Sequence, residues 1–531
     1  MSLPSALRQI VAATAIALLP ITAQAAGVLH RGNGAEPETL DPQKSTGVPE
    51  ANIQRDLFEG LVTEAADGKL IPGAATAWTV SDDGLTYRFT LRPDAKWSDG
   101  TPVTAQDFVW SWARLLDPAQ ASKYAFMLWP LKNAEKFSKG EVKDPAEIGV
   151  KAEGPGTLVV TLERPTPYLI GLLAHHASYP VNRKAIEAHG DRWTRPGNLV
   201  GNGAFTLAEW TPQDRLRIDR SKTFHDATNV TLDSVYYYPT EDIQAEYKRY
   251  RAGELDITYL IPPDQIAAAR RDMPNEVRIV PYFGTYYYAL NMTRAPFKDN
   301  PKLRQALSLA IDRTAIVEKV AKAGELPAYA WVPPNTGNYR NPAIEIASKT
   351  QAERDAMAKA LLAEAGFGAG KPAPEVEILY NTNDLHKRVA IAVAAMWEQK
   401  LGVKAKLVNQ EWKVYLDMGR EMQFDVRRAA WIGDYDDAWS FLELLKSDVG
   451  KQNPARYENP AYDDLLRRSA AERDLDARAK LMAEAEVMML NDVPIIPIWH
   501  YVSRALVKPY VKGRIDNVQD FHSSRWMSVA K

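Results

Sequence analysis

Residues 82–115 predict a strand, a tight turn and a capped helix in succession, and this order limits the fold classes open to the chain. Apolar and polar residues alternate over 86–91, which is the period of a strand. The tetrapeptide Asp-Gly-Thr-Pro at 99–102 is typical of a tight turn, because glycine tolerates positive φ and proline fixes its own φ. Thr104 lies three residues before Asp107, a variant of the capping box, and an apolar-periodic run follows it.

Short strand patterns alternate with longer helical patterns along the rest of the chain. Apolar residues at helical spacing cover 301–310, and Asp312 is placed to cap a second helix. A further helix is predicted from about 384 to Gly402, and a strand pattern at 403–408 follows directly. This alternation predicts an α/β protein.

The first 25 residues have the features of a secretory signal. Arg8 supplies the positive charge, residues 10–21 are apolar, and Ala23-Gln24-Ala25 is a small-x-small cleavage site. The apolar run is shorter than the roughly 20 residues that span a bilayer. We therefore expect cleavage after Ala25, which leaves 506 of the 531 residues and enough chain for two or three domains.

The absence of cysteine from the sequence sets two further expectations. The exported protein forms no disulfide, and it carries no lipid on an N-terminal cysteine. A formal net charge of −2 at neutral pH argues against nucleic acid or an anionic membrane as the main partner. We expect a soluble periplasmic protein with no direct membrane insertion.

Several longer strings carry a resemblance that extends over nearly the whole mature chain. The string WSDGTPVTAQDF at 97–108 resembles a signature of the extracellular solute-binding proteins that serve peptide transporters. Seven further segments resemble the periplasmic oligopeptide-binding members of family 5 of these proteins, in the same order along the chain: 41–61, 200–205, 250–259, 281–291, 380–388, 409–418 and 424–435.

The resemblance implies an α/β, two-lobed periplasmic-binding-protein fold (type II, cluster C) with an additional third domain. By analogy, lobe I is discontinuous and comprises 26–58, 183–283 and 502–531. Domain II, the additional domain, is inserted at 59–182, and lobe III spans 284–501. The hinge is then expected where the chain crosses between the lobes, near 283 and 501.

The resemblance also implies a function. A protein of this family captures short peptides of roughly two to five residues between two closing lobes and delivers them to an inner-membrane ABC permease complex. The expected protein is a monomer, is not an enzyme, and uses no cofactor or metal. A dedicated receptor for murein tripeptide or another modified peptide is the alternative within the same class.

Asp434 is the first candidate for a ligand contact. On residue type alone, Asp434, Asp436 and Asp437 are more typical of solvated loop acids, and calcium ligation is a remote option. The resemblance aligns Asp434 with the aspartate that receives the α-ammonium of the peptide. A buried carboxylate without a cation is costly, so a ligand ammonium is a natural partner.

The resemblance implies that the peptide is held as an added strand and that its side chains enter wide, hydrated pockets. Main-chain contacts align with Val48 and with Ala430, Trp431 and Ile432. On residue type alone, aromatic side chains are more often core than pocket. The pocket aromatics implied by the resemblance are Trp412, Trp431, Tyr124, Tyr259 and Tyr282.

Arg428 and His386 align with family cations that meet the C-terminal carboxylate of the peptide. A guanidinium holds a carboxylate in two parallel hydrogen bonds, which suits Arg428. Without the resemblance, a surface arginine and a helix-start histidine explain these residues equally well.

Departures from the family pattern leave the preferred peptide length and side chains open. A second pocket arginine of the family falls on Gly419, and its paired cysteines fall on Gly284 and Ile432. The chain therefore lacks that disulfide.

Two other function classes remain to be tested, a secreted peptidase or amidase and a periplasmic chaperone. The sequence holds no cysteine nucleophile, no GxSxG string and no HExxH zinc motif. The adjacent His175 and His176 cannot share one helix face as metal ligands in such a motif do, so a structural pair is favoured.

Overall fold

The computed structural model describes residues 27–337, 339–368 and 370–530, so the predicted signal segment and its cleavage site lie outside the described residues. The strands are β1 Val28–Gly32, β2 Val62–Glu64, β3 Leu70–Pro72, β4 Ala75–Val80, β5 Thr86–Leu91, β6 Val150–Ala152, β7 Thr157–Thr161, β8 Phe205–Thr211, β9 Arg215–Arg220, β10 Ser234–Tyr238, β11 Val277–Leu290, β12 Leu326–Pro327, β13 Val376–Asn381, β14 Ala405–Gln410, β15 Val426–Ile432, β16 Ile495–Leu506, β17 Val511–Lys512 and β18 Ser528–Val529.

The helices lie between these strands. They are α1 Val48–Leu57, α2 Ala105–Leu116, α3 Ala134–Ser138, α4 Leu169–Leu172, α5 Arg183–His189, α6 Ile243–Arg251, α7 Ile266–Asp272, α8 Pro301–Ala310, α9 Arg313–Ala315, α10 Glu345–Ser348, α11 Gln351–Glu364, α12 Asp384–Leu401, α13 Trp412–Arg420, α14 Trp439–Leu442, α15 Pro460–Ala471 and α16 Leu475–Asp492. Within the described residues, no helix is both long and apolar enough to cross a bilayer.

Three larger sheets organise the molecule. One has the strand order β1-β10-β9-β8, the second β4-β5-β7-β6, and the third β12-β16-β11-β15-β13-β14. The pairs β1–β10, β13–β14 and β13–β15 are parallel, and the other ladders are antiparallel. The predicted α/β class is confirmed.

The predicted succession of strand, turn and capped helix is confirmed in β5 and α2. The backbone N–H and hydroxyl of Thr104 both donate to Oδ2 of Asp107, at 2.7 and 2.8 Å. Phe108, Trp112 and Leu115 on the inner face of α2 are fully buried in one core with the sheet β4-β5-β7-β6. This segment therefore serves the packing of its own domain.

The helices predicted at 301–310 and 384–401 are confirmed as α8 and α12. Gly402 ends α12 in the left-handed region, with φ of 68°, a conformation that glycine adopts without steric cost. The strand predicted at 403–408 begins at Ala405 instead. Val403 is buried, and its N–H bonds back to Trp397, so this residue completes the helix end.

The six-stranded sheet is built around β11, whose 14 residues pair with β15 on one side and β16 on the other. The pairing with β16 is irregular between Pro281 and Thr285. On the far side of β15, β13 runs parallel but pairs only at Val426 and Arg427. The remainder of β15 on that side has no partner strand in the described part of the chain.

Candidate functional site

The candidate site lies at the carboxyl ends of the parallel strands β13 and β15. In open α/β sheets, ligands bind outside the carboxyl ends of such strands. Asn381 ends β13, and Asp434 follows β15 by two residues. The sheet therefore brings the segments around 381–386 and 428–434 to the same edge.

Asp434 is a buried carboxyl group whose hydrogen-bond partners are neutral. Its side chain is 9% exposed. The hydroxyl of Tyr124 donates to Oδ1 at 3.2 Å, and the backbone N–H of Asp434 is held by the Ser440 hydroxyl at 3.0 Å. Its Oδ2 is buried and accepts no hydrogen bond from any described residue.

The electrostatics of Asp434 follow from this burial. Burial raises the pKa of Asp434 to about 7, although the Tyr124 hydrogen bond and the more distant charge of Arg55 act in the opposite direction. The His175 Nε2 lies 3.9 Å from Oδ1, but burial holds the pKa of His175 well below its usual value, so the ring is neutral. In the described part of the chain, Asp434 thus has no charged counterion in contact.

The two adjacent histidines line this site, which the sequence did not indicate. His175 and His176 are both buried, and their ring centroids lie 4.0 Å apart. The Tyr124 ring lies 4.7 Å from that of His175. Burial lowers the pKa of His176 as well, and both rings are therefore neutral walls beside the carboxyl group. Among the described residues, no cluster of potential ligands suited to a metal ion is found.

Arg428 and His386 lie together at the β13 side of the site. The Arg428 guanidinium is buried, donates to Asn381 Oδ1 at 3.2 Å and to the Tyr501 hydroxyl at 3.3 Å, and lies 4.7 Å from the Tyr286 ring centroid. The His386 Nδ1 is 3.5 Å from the Tyr286 hydroxyl. Burial, followed by the charge of Arg428, lowers the pKa of His386. No carboxylate of a described residue forms an ion pair with Arg428.

The remaining predicted aromatic residues lie in different parts of the chain. Trp431 is half-buried and donates from Nε1 to the Ser440 carbonyl at 2.8 Å. Tyr259 and Tyr282 are half-buried, and burial raises the pKa of both hydroxyl groups. Trp412 begins α13, and its side chain lies outside what the structure describes.

The predicted main-chain contacts occupy an exposed helix start and a strand. Val48 begins α1 and is 37% exposed. Ala430 and Ile432 lie in β15 and are half-buried. Ile432 is directly opposite Gly284 on β11, and a Cβ added at Gly284 would lie 2.3 Å from Ile432 Cδ1. The isoleucine side chain thus fills the space beside the glycine.

Sequence reasoning missed Arg55, which acts on much of the site. Its guanidinium lies 3.5 Å from the Phe521 ring centroid, and its Nε is buried without a hydrogen bond to a described residue. Its charge lowers the pKa values of Asp434 and His175. The available signal was the position of Arg55 inside the segment 41–61, which carries the family resemblance. Its distance from residue 434 in sequence gave no indication that the two residues interact.

Comparison with known proteins defines the class. The family model of bacterial extracellular solute-binding proteins, family 5, matches residues 69–453. The periplasmic oligopeptide-binding protein OppA of Salmonella typhimurium is 44% identical over 488 residues, covering 91% of this chain and 89% of its own. The chain belongs to family 5 of the bacterial extracellular solute-binding proteins.

Solved structures agree with this assignment. The Escherichia coli murein tripeptide-binding protein MppA matches with a TM-score of 0.88 at 41% identity, covering 96% of this chain and 99% of that one. The unliganded open form of MppA matches with a TM-score of 0.77 at 40% identity, again covering 96% of this chain and 99% of that one. Haemophilus influenzae OppA in complex with the peptide RPPGFSPFR matches with a TM-score of 0.84 at 40% identity, covering 95% of this chain and 99% of that one. The predicted two-lobed periplasmic-binding-protein fold is confirmed.

Proposed function

We propose that this protein is the substrate-binding component of a peptide-importing ABC transporter and that it holds short peptides in extended form between lobes I and III. Asp434 binds the peptide α-ammonium. The observation that carries this proposal is the carboxyl group of Asp434, which is buried and, among the residues that the structure describes, has no charged counterion and no donor to Oδ2. The relatives named as oligopeptide-binding and murein tripeptide-binding proteins support the same ligand class.

An ammonium group suits this carboxyl group better than a neutral ligand does. It offers three donors and a full positive charge, whereas Tyr124 supplies Asp434 with one neutral hydrogen bond. Removing one member of a buried charge pair costs about 3–5 kcal/mol. We therefore expect the Asp434→Ala variant to lose about that much binding free energy.

The unpaired side of β15 supports extended binding. Beyond Arg427 the β13 side of the strand has no ladder partner among the described strands, while its other side pairs with β11 as far as Ile432. An extended peptide can hydrogen-bond to such an edge with its main chain, whatever its side chains. Ala430, Trp431 and Ile432 supply this edge, and Val48 at the start of α1 provides the opposite contact.

Arg428 and His386 are proposed to meet the C-terminal carboxylate of the peptide. Within the described part of the chain, Arg428 donates hydrogen bonds to an amide oxygen and a phenol, both neutral, and forms no ion pair. A carboxylate would supply its missing counter-charge. The aromatic rings of Tyr124, Trp431, Tyr259, Tyr282 and Trp412 are proposed to line the side-chain pockets.

The domain boundaries and hinge are part of the same proposal. Lobe I comprises 26–58, 183–283 and 502–531, domain II 59–182, and lobe III 284–501. The crossings near 283 and 501 fall in β11 and β16, where the pairing is irregular between Pro281 and Thr285. An irregular ladder bends more easily than a regular one, which favours this place for a hinge.

The cellular setting follows from the relatives, which are periplasmic proteins. We propose that this protein is exported with cleavage after Ala25, carries no lipid anchor, works as a monomer in the periplasm and delivers its ligand to an inner-membrane ABC permease complex. A dedicated murein tripeptide receptor is the second candidate, because the murein tripeptide-binding protein MppA is also among the similar structures.

Trialanine titrated by calorimetry, with recovery of the ligand afterwards, tests the proposed function. We expect saturable binding and quantitative return of intact trialanine, because the site offers binding groups only. Slow loss of trialanine would instead favour a peptidase. Displacement of trialanine by a denatured protein would favour a chaperone. Displacement by murein tripeptide at much lower concentration would favour the dedicated receptor.

A further inference from the structure

The ring of Tyr168 joins domain II to lobe III. It is stacked with Tyr435 at a centroid distance of 5.7 Å and an interplanar angle of 5°, and with Trp439 at 5.4 Å and 21°. The Arg478 guanidinium lies 5.1 Å from the same ring centroid. We call these four side chains the Tyr168 contact. In the proposed boundaries Tyr168 belongs to domain II, whereas the other three residues belong to lobe III.

The lobe III side of the Tyr168 contact is held in place by its own hydrogen bonds. Arg478 is buried and binds Asp437 through two parallel hydrogen bonds of 2.7 and 2.8 Å. Trp439 donates from Nε1 to Glu443 at 2.7 Å. These bonds lie within lobe III and do not depend on Tyr168. Few side chains therefore lose freedom when the contact forms, which lowers its entropic cost.

Domain II also contributes apolar side chains to the core of lobe III. Met127 and Leu172 are buried with Tyr168 in one cluster whose other members include Phe441 and Leu444. Separating the two domains would expose apolar surface on both, at a cost in free energy that grows with the exposed area. The interface around Tyr168 therefore resists separation.

Domain II is fixed to lobe I by buried polar contacts. Arg114 Nη2 donates to Asp41 Oδ2 at 2.7 Å, and both residues have almost fully buried side chains. The Gln43 amide donates to the Ser111 carbonyl at 2.7 Å. Breaking a buried ion pair is costly, so domain II stays with lobe I. A rotation of lobe III about the proposed hinge therefore breaks the Tyr168 contact.

The Tyr168 contact lies beside the proposed ammonium site. Tyr435 follows Asp434 in the chain, and α4 begins one residue after Tyr168. His175 lies three residues beyond the end of α4, and its Nε2 is 3.9 Å from Asp434 Oδ1. The Tyr124 hydroxyl donates to the same oxygen at 3.2 Å. The Tyr168 contact thus holds together the segments that surround Asp434.

We propose that Tyr168 is a positioning residue for peptide binding, which acts by stabilising the arrangement in which domain II and lobe III meet around Asp434. The inference rests on the proposed function, since it takes the peptide to bind between the lobes. The apparent affinity falls in proportion to the fraction of molecules that adopt the binding-competent arrangement. Loss of the Tyr168 ring therefore weakens the binding of every short peptide, whatever its side chains.

Calorimetry with trialanine and triglycine tests the inference. We expect the Tyr168→Ala variant to bind both peptides about tenfold more weakly and by the same factor, because it loses two aromatic stacks and one cation–π contact. The Tyr168→Phe variant keeps the ring and should bind both peptides as the natural protein does.

The matched control is Phe108→Leu, which alters the core of domain II at a residue that is not part of the lobe III core. This variant should unfold at a lower temperature and leave both peptide affinities unchanged. Thermal unfolding of Phe108→Leu and Tyr168→Ala compares their losses of stability. A loss of affinity in Tyr168→Ala alone then reports the interface and not the stability of domain II.

A distance measurement follows the two domains directly. The chain has no cysteine, so Gln106→Cys on α2 and Lys480→Cys on α16 place two spin labels at exposed positions of domain II and lobe III. With saturating trialanine, pulsed EPR should give one label distance with and without Tyr168→Ala. At the concentration that half-saturates the natural protein, Tyr168→Ala should leave a larger fraction at long distance. Identical distributions at that concentration would overturn the inference.

The affinities give three further outcomes that decide against the inference. Unchanged affinity of Tyr168→Ala for both peptides would overturn it. A loss confined to one peptide would do so too, because it would indicate a direct side-chain contact. An equal loss in Phe108→Leu would attribute the effect to stability. If neither peptide binds to the natural protein, the proposed function itself fails, and the inference with it.

Discussion

At the scale of single residues, the candidate site is dominated by the carboxyl group of Asp434, which is buried without a cation in contact among the described residues. Burying an acid whose partners are only neutral donors favours the protonated form, which is why the pKa of Asp434 rises to about 7. A ligand that brings a positive charge reverses this balance. The cost of burying Asp434 is thus offset when an ammonium group binds.

Peptide affinity should therefore depend on pH in a defined direction. The bound ammonium favours the charged carboxylate, so below about pH 7 binding must displace a proton from Asp434. We expect affinity to fall by up to about tenfold per pH unit as the pH drops from 7 to 5. Above about pH 8 it should fall again, because the α-amino group of the peptide loses its proton there.

Calorimetry in buffers of different ionisation enthalpy measures both the affinity and the number of protons released. The Asp434→Asn variant is the control, and its affinity should be independent of pH between 5 and 7. An equally flat profile for the natural protein would rule out Asp434 as the titrating ligand contact.

At the scale of elements, β15 connects the core to the site. Its first residues pair on both sides, whereas its last residues pair, among the described strands, with β11 alone and end just before Asp434. The local sequence was sufficient to predict α2, α8 and α12, because capping residues and apolar spacing act within one helix. It could not predict which side of β15 is unpaired, since that depends on where β13 stops.

A designed disulfide tests the register of this strand. Gly284 and Ile432 are directly opposite each other on antiparallel strands, where Cα atoms lie about 4.5–5.5 Å apart, within the range that a disulfide spans. We expect Gly284→Cys with Ile432→Cys to form a disulfide and stabilise the protein by about 2–4 kcal/mol. Thermal unfolding with and without reductant measures the effect.

The two single variants are the controls for this design. Gly284→Cys alone should be destabilised, because its Cβ would meet Cδ1 of Ile432 at 2.3 Å. Ile432→Cys alone should lose packing but show no dependence on reductant. Two free thiols in the oxidised double variant would contradict the register.

At the scale of the whole molecule, the site is assembled from segments far apart in sequence. Tyr124 and Asp434 are 310 residues apart, and His175 and Arg55 reach the same place from other elements. Sequence spacing carries no signal for such contacts, so only the family resemblance pointed to Asp434, and the roles of His175, His176 and Arg55 in the candidate site were missed. The chain matches one MppA structure with a TM-score of 0.88 and the unliganded open form of MppA with a TM-score of 0.77.

The central claim is that this protein holds a peptide by its free amino end at Asp434. The most direct measurement is calorimetry of one tripeptide and its N-acetylated form against the natural protein and the Asp434→Asn variant. We predict that acetylation and the substitution each weaken binding by about 3–5 kcal/mol and that together they cost little more than either alone. Tight binding of the acetylated peptide to the natural protein would contradict the claim.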